Sequence, residues 1–197
     1  MSEYITSLEG EYRRYKALGE AAIAQLTEEQ LSAPASPGGN SVAAIVWHVA
    51  GNLESRFTGF RTSDGEKPWR NRDEEFAPRT VTRPDLLAKW EKGWRALFAA
   101  LGELSDPDLR QTITIRKQPL RIDEALHRSL AHTVYHVGQI VFLAKQWCGD
   151  GWNCLSIPLG GSAAHNQRGA DESAAAHARV LQRFQSIQPP PTTKSPS

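Results

Sequence analysis

The sequence predicts an all-α fold, a four-helix bundle, and three observations carry that prediction. Four stretches of about twenty residues repeat apolar side chains at steps of three and four. Proline, glycine and polar runs separate them. The connections are unequal, with a long crossover between helices two and three and a small hairpin before helix four. A simple up-down bundle would need neither.

The first helix is expected from about Glu3 to Leu26, with Tyr4, Leu8, Tyr12, Tyr15, Leu18, Ala22 and Leu26 on one face. LSAPASPGGNS then breaks it, because its prolines and glycines cannot continue a helix. Asn40 or Ser41 can cap a second helix that runs to about Arg61 on Val42, Ile45, Val46, Val49, Leu53, Phe57 and Phe60. From Thr62 to Arg83 the chain is polar and turn-rich without a helical period. Connections of that length are usually functional or mobile, and Trp69 and Phe76 within this one suggest packing over something. Pro84 opens a third helix to about Leu104, with Trp90 and Trp94 inward. TITIRKQPLRI alternates about a central turn and reads as a hairpin, with Pro119 confined to an edge or turn. Asp123 can cap the fourth helix, which ends at Gly149. DESAAAHARVLQRFQSI reads as a further short helix capped by Asp171. Residues 1–188 are expected to form one domain with a C-terminal extension, and the proline- and serine-rich residues 189–197 a disordered tail.

Composition narrows the function classes. Of 197 residues, 40% are hydrophobic and 23% charged, with a formal net charge of +1. Such a chain has no field to draw nucleic acid, and its arginines and lysines are spread rather than clustered. No apolar run approaches the ~20 residues that span a bilayer, and the N-terminus lacks a signal-peptide core. A cytoplasmic location is expected, with Cys148 and Cys154 as free thiols in a spacing that matches no metal or redox motif.

The chemistry is carried by the histidines. His132 and His136 stand four apart in SLAHTVYHVGQIV, so they point to one side of a helix, about 40° apart. His48 sits in a similar apolar setting, SVAAIVWHVAGNLE. Burying several imidazoles is costly unless each ring nitrogen has a partner, and one metal ion satisfies three rings together. Gln139 lies on nearly the same stripe and could orient a ligating ring or a bound water. Asn52, one turn after His48, could do likewise. Both could equally be ordinary polar residues at the open end of a core. His127 falls about 140° away from the pair. With His165 and His177 it is read as solvated, His165 being an outside candidate for the rim of the site.

WHVAGN on the second helix, followed by LAHTVYHVGQI on a fourth helix after a hairpin, resembles the DinB/YfiT-like superfamily. LSIPLGGS, close behind, resembles one uncharacterised bacterial branch of it. The resemblance runs from about Tyr4 to Asn166. It implies a bundle of up-down-down-up connectivity, often dimeric, with a divalent metal, zinc or nickel, held by His48, His132 and His136. It also implies thiol-dependent S-transferase or isomerase chemistry with low-molecular-weight thiols such as bacillithiol or mycothiol. The helix expected from Asp171 to Ile187 departs from the usual ending.

Three functions compete on these residues. A divalent centre stabilises the anion of a bound thiol or water, which suits transfer of a thiol to a small electrophile or hydrolysis of an amide or ester. The HExxH arrangement is absent, since Thr-Val-Tyr separates the paired histidines, and no acid stands at helical spacing beside them. That counts against peptide hydrolysis and favours thiol transfer. The third function is a non-catalytic, stress-induced dimeric scaffold with a structural metal or none. Structural zinc normally fills four protein positions, and three ligands are visible here. Tyr4, Tyr12, Trp90 and Trp94 offer more aromatic surface than one bundle seam readily buries, which predicts a homodimer. The expected partner of the site is a small molecule, with no nucleic acid and no membrane.

Overall fold

Residues 3–169 and 171–186 are described by a computed structural model, and four long helices make its frame. In chain order the elements are α1 (Glu3–Ala24), the one-turn α2 (Glu28–Ser32), α3 (Val42–Phe57), the one-turn α4 (Arg72–Glu75) and α5 (Arg83–Gly102). The hairpin β1 (Thr112–Ile115) and β2 (Gln118–Arg121) comes next, then α6 (Ile122–Cys148), α7 (Ser162–Gln167) and α8 (Ala174–Gln182). The four-helix bundle is formed by α1, α3, α5 and α6.

Hydroxyl side chains start α2, α3, α5 and α8. The Ser41 hydroxyl accepts the Ala44 amide at 3.1 Å, and the Thr82 hydroxyl accepts the Asp85 amide at 3.2 Å, each satisfying an otherwise orphaned donor. The fourth bundle helix departs from expectation. It begins at Ile122, so Asp123 lies inside the first turn and pairs with Arg121 instead of capping. The capping acceptor is Glu124, whose carboxylate takes the Arg121 amide at 3.0 Å. Ser173, not Asp171, caps α8. Ile187, the expected end of that helix, and the expected disordered tail lie outside the described residues.

In the bundle, α3 packs on α5 and α1 on α6. Gly93 brings the first pair together: a Cβ there would stand 2.6 Å from the Ala50 Cα, so the helices approach backbone to backbone. Tyr12 joins the second pair, its hydroxyl donating to the Leu126 carbonyl at 2.9 Å. Trp90, Trp94 and Tyr12 are fully buried within one chain. The expected surplus of aromatic surface is therefore absent at those residues, because Trp90 and Trp94 stack edge to face at 5.3 Å inside the core. Tyr4 alone of the four reaches the surface, 37% exposed, and its hydroxyl lies 2.6 Å from His127 Nε2. Beyond the bundle, α8 packs against α1. Among the described residues no helix is long and apolar enough to cross a membrane.

The crossover from Thr58 to Thr82 is not featureless. Asp64 ties it to the hairpin, whose two turn residues, Arg116 and Lys117, both adopt positive φ without glycine. That conformation is disfavoured for side-chain-bearing residues, but it turns both amides outward. The Asp64 carboxylate accepts them at 2.9 and 2.7 Å. Ser55 on α3 holds the same segment by donating to the Gly65 carbonyl and accepting the Lys67 amide. The crossover thus lies against α3, where it can contribute to a site.

Candidate metal centre

His48 projects from the middle of α3, and His132 and His136 from adjacent turns of α6. These two helices pack on each other, and the three rings meet between them. His48 Nε2 lies 3.1 Å from His132 Nε2, and one nitrogen from each ring falls within 4.8 Å of the others. Two nitrogens bound at ~2.05 Å to a tetrahedral ion stand about 3.3 Å apart, so the observed approach suits a shared cation. His48 and His136 are buried and His132 is half-buried.

The crossover supplies what periodicity could not reveal. Asn71 caps α4, and this single turn delivers Glu75 to the far side of the His48 ring. Glu75 Oε2 accepts from His48 Nδ1 at 2.8 Å. Arg70 grips the same carboxylate in a bidentate pair at 2.7 and 2.8 Å. Gly51 makes room: a side chain at that position of α3 would overlap the Glu75 carboxylate. Phe76 lies on the His48 ring with centroids 4.6 Å apart, as the expectation of packing had it, whereas Trp69 is 54% exposed. Neither Glu75 nor Arg70 was singled out from the sequence. Their only signal was an unusually long polar connection that retained a half-buried aromatic, Phe76.

Gln139 Oε1 accepts from His136 Nδ1 at 2.8 Å, one turn along α6. Asn52 lines the cavity beside His48 and His132, but Glu75, not Asn52, bonds His48. The remaining candidates lie apart from the three rings. His127 bonds Tyr4, and His165, half-buried and not solvated as expected, faces Glu172 at 2.8 Å. His177 is half-buried, not solvated, because its Nε2 donates to the Leu155 carbonyl at 3.1 Å across the packing of the C-terminal segment. Both cysteines are free; Cys148 Sγ donates to the Gln25 carbonyl, and burial pushes its thiol pKa up.

The donor chemistry fits a cation. With Nδ1 of His48 and of His136 each donating to an oxygen, their Nε2 lone pairs are the free acceptors. Burial, followed by the neighbouring imidazoles of His136 and His48, holds His132 down at about 3. Burial likewise lowers His136, against the opposing hydrogen bond from Gln139. Burial would raise Glu75, but hydrogen bonds from Arg70 and His48 outweigh it and keep the carboxyl below its usual range. Neutral imidazoles backed by an ionised carboxylate are the form in which histidines ligate metal. No fourth His, Cys, Asp or Glu joins the group among the described residues, so a bound ion would keep an open position. A cavity of 220 Å³ lies beside His48 and His132.

Fold and site together define a helical bundle with three clustered histidines that could hold a metal ion. The chain belongs to the family described as "Protein of unknown function (DUF1572)", which matches residues 1–161; α7 and α8 follow that span. No curated protein matches. Solved structures do. A DinB-like protein from Bacillus cereus ATCC 10987 is 20% identical, with a TM-score of 0.55, over 71% of this chain and 90% of its own. YfiT from Bacillus subtilis, described as a probable metal-dependent hydrolase with an unusual four-helix bundle topology, is 21% identical with a TM-score of 0.55. That alignment covers 78% of this chain and 91% of YfiT. A conserved protein from Enterococcus faecalis is 20% identical, with a TM-score of 0.55 over 74% and 96%. At these identities the likeness establishes a shared DinB/YfiT-like fold.

Proposed function

We propose that His48, His132 and His136 hold one divalent ion, zinc or nickel, and that the protein is a thiol-dependent S-transferase acting on small electrophiles. One observation carries the reading: two imidazoles with fixed tautomers converge with a third on one point beside a cavity, with no fourth protein ligand among the described residues. A divalent ion supplies Lewis acidity, which lowers the pKa of a bound thiol. The chain's own residues set the stage. Glu75 and Gln139 hold two rings in orientation, Phe76 excludes water from the back of His48, and the cavity admits a small molecule. Both carboxylates around the site are committed, Glu75 to His48 and Arg70, and Glu66 to Arg56 and Arg116. A thiol at a lowered pKa needs no general base, which supports thiol transfer. The reading includes a cytoplasmic homodimer: both cysteines are free thiols, and Tyr135 and Phe142 on α6 stand 63% and 68% exposed as a face for a second copy.

Hydrolysis is the second reading, favoured by the description of YfiT, whose fold this chain shares. The two separate in one assay. Zinc- or nickel-loaded protein is offered a panel of small electrophiles, esters and amides, with and without a low-molecular-weight thiol. Consumption that requires the thiol is expected. Consumption without thiol would replace transfer by hydrolysis. Neither, in a sample shown to carry metal, would overturn the enzyme reading in favour of a scaffold.

A further inference from the structure

The cavity beside the three histidines is unbalanced in charge. Arg56, Arg70, Arg72, Arg116 and Arg128 all reach its wall. Two carboxylates answer these five cations. Glu66 is shared by Arg56 at 3.0 Å, Arg116 at 2.8 Å and, at 3.6 Å, Arg70, which also takes Glu75. Asp64, which faces Arg56, is occupied by the backbone amides of Glu66, Arg116 and Lys117. Arg72 lies over the Phe76 ring at 5.2 Å and pairs with no acid among the described residues. Arg128 makes neither an ion pair nor a hydrogen bond among them. Its natural helical partner, Glu124, is turned away to the Arg121 amide. Deeper in, the buried Nη1 of Arg70 makes no hydrogen bond and reaches Glu66 only as a 3.6 Å ion pair.

Position gives these free cations a purpose. Arg128 stands one helical turn before His132, so both project from the same side of α6, about 6 Å apart along its axis. Arg72 opens α4, the turn that carries Glu75 to His48, and so reaches the same cavity from the crossover. A concave site with one sign of charge draws the opposite sign, and a guanidinium matches a carboxylate or phosphate with two parallel hydrogen bonds.

We propose that Arg72 and Arg128 form an anion subsite, which binds a carboxylate or phosphate of the substrate while its reacting centre lies about one helical turn away at the histidines. Assigning the anion to a substrate rests on the enzyme reading above; the binding of an anion does not. The substrate class is then a small anionic molecule. Neutral electrophiles would leave both arginines unanswered.

The experiment uses metal-free protein, titrated with succinate, methyl phosphate and neutral succinamide and followed by backbone amide chemical shifts. Saturable binding of succinate or methyl phosphate is expected, with shifts centred on Arg72, Arg128 and Asn52, and the tighter of the two identifies the group preferred. Binding should weaken at least tenfold in the double variant Arg72→Gln, Arg128→Gln. It should be unchanged in Arg95→Gln, an exposed arginine of α5, and should weaken as salt is raised. Equal binding of succinamide would overturn the subsite. So would binding that appears only after zinc is added and survives in the double variant, since the anion would then sit on the metal. Absence of binding to either form would overturn it too. Zinc uptake by the same sample is measured separately, so failure of the metal reading would leave the arginine result standing.

Discussion

Glu75 accepts the Nδ1 proton of His48 at 2.8 Å across a sequence separation of 27 residues, and Arg70 holds the carboxylate from its other side. The relay orients the one ring of the three that α6 does not carry. Glu75→Gln, which keeps the shape but removes the charge, is expected to weaken zinc binding by about 10–100-fold with little change in fold. Glu75→Ala also strips the buried Arg70 of its bidentate partner, leaving it only the longer 3.6 Å pair with Glu66, and should lower stability. Calorimetric zinc titration and denaturant melts of the two variants check both. Parent affinity in Glu75→Gln would remove Glu75 from the site.

Gly51 is the steric condition for that contact. In Gly51→Ala the new methyl overlaps the Glu75 carboxylate, which must swing away from His48. Zinc affinity should therefore fall although no ligand has been touched, and Gly51→Ala combined with Glu75→Gln should be no weaker than Glu75→Gln alone. Additive losses, measured in that double-variant cycle, would separate the two residues.

Gln139 bonds the ring of His136. Gln139→Ala frees that ring and leaves its Nδ1 without an acceptor, so metal affinity and turnover should both drop, affinity by about 10-fold or more. Full activity together with a lowered melting temperature would make Gln139 structural only.

Acid should destabilise the metal-free protein earlier than its carboxylates alone would. Burial and the neighbouring imidazoles hold His132 at about 3 in the folded chain, against 6.5 ordinarily. Below pH ~6.5 the unfolded chain therefore binds more protons than the folded one, and stability falls as the pH is lowered from ~6.5 toward 3. Glu75 acts in the same direction: its folded pKa lies below 4.5, so its contribution is lost as the pH falls through that folded value. Melting temperatures between pH 7.5 and 4.5 should decline less steeply in His132→Gln than in the parent. Parallel curves would contradict the assignment.

The bundle and the convergence of His48, His132 and His136 were legible because both follow from helical periodicity: apolar residues at three and four, and two imidazoles four apart. Gln139 was legible by the same rule. Glu75, Arg70 and the free arginines were not, because their positions depend on a connection held by Asp64, Ser55 and the hairpin turn, contacts that no local pattern encodes. Trp90 and Trp94 were legible as inward, but their complete burial within one chain, with no surplus for a second copy, was not, for a related reason. Gly93 lets α5 close on α3, and Gly19 leaves room where Trp90 abuts α1, so one seam takes more aromatic bulk than side-chain counting allows.

The central claim is a single metal shared by His48, His132 and His136, and elemental analysis of protein purified without added metal tests it most directly. About one zinc or nickel per chain is expected in the parent and in His127→Ala, whose ring faces Tyr4 at the surface. Each of His48→Ala, His132→Ala and His136→Ala should lose most of it. Equal metal in His132→Ala and the parent would contradict the account.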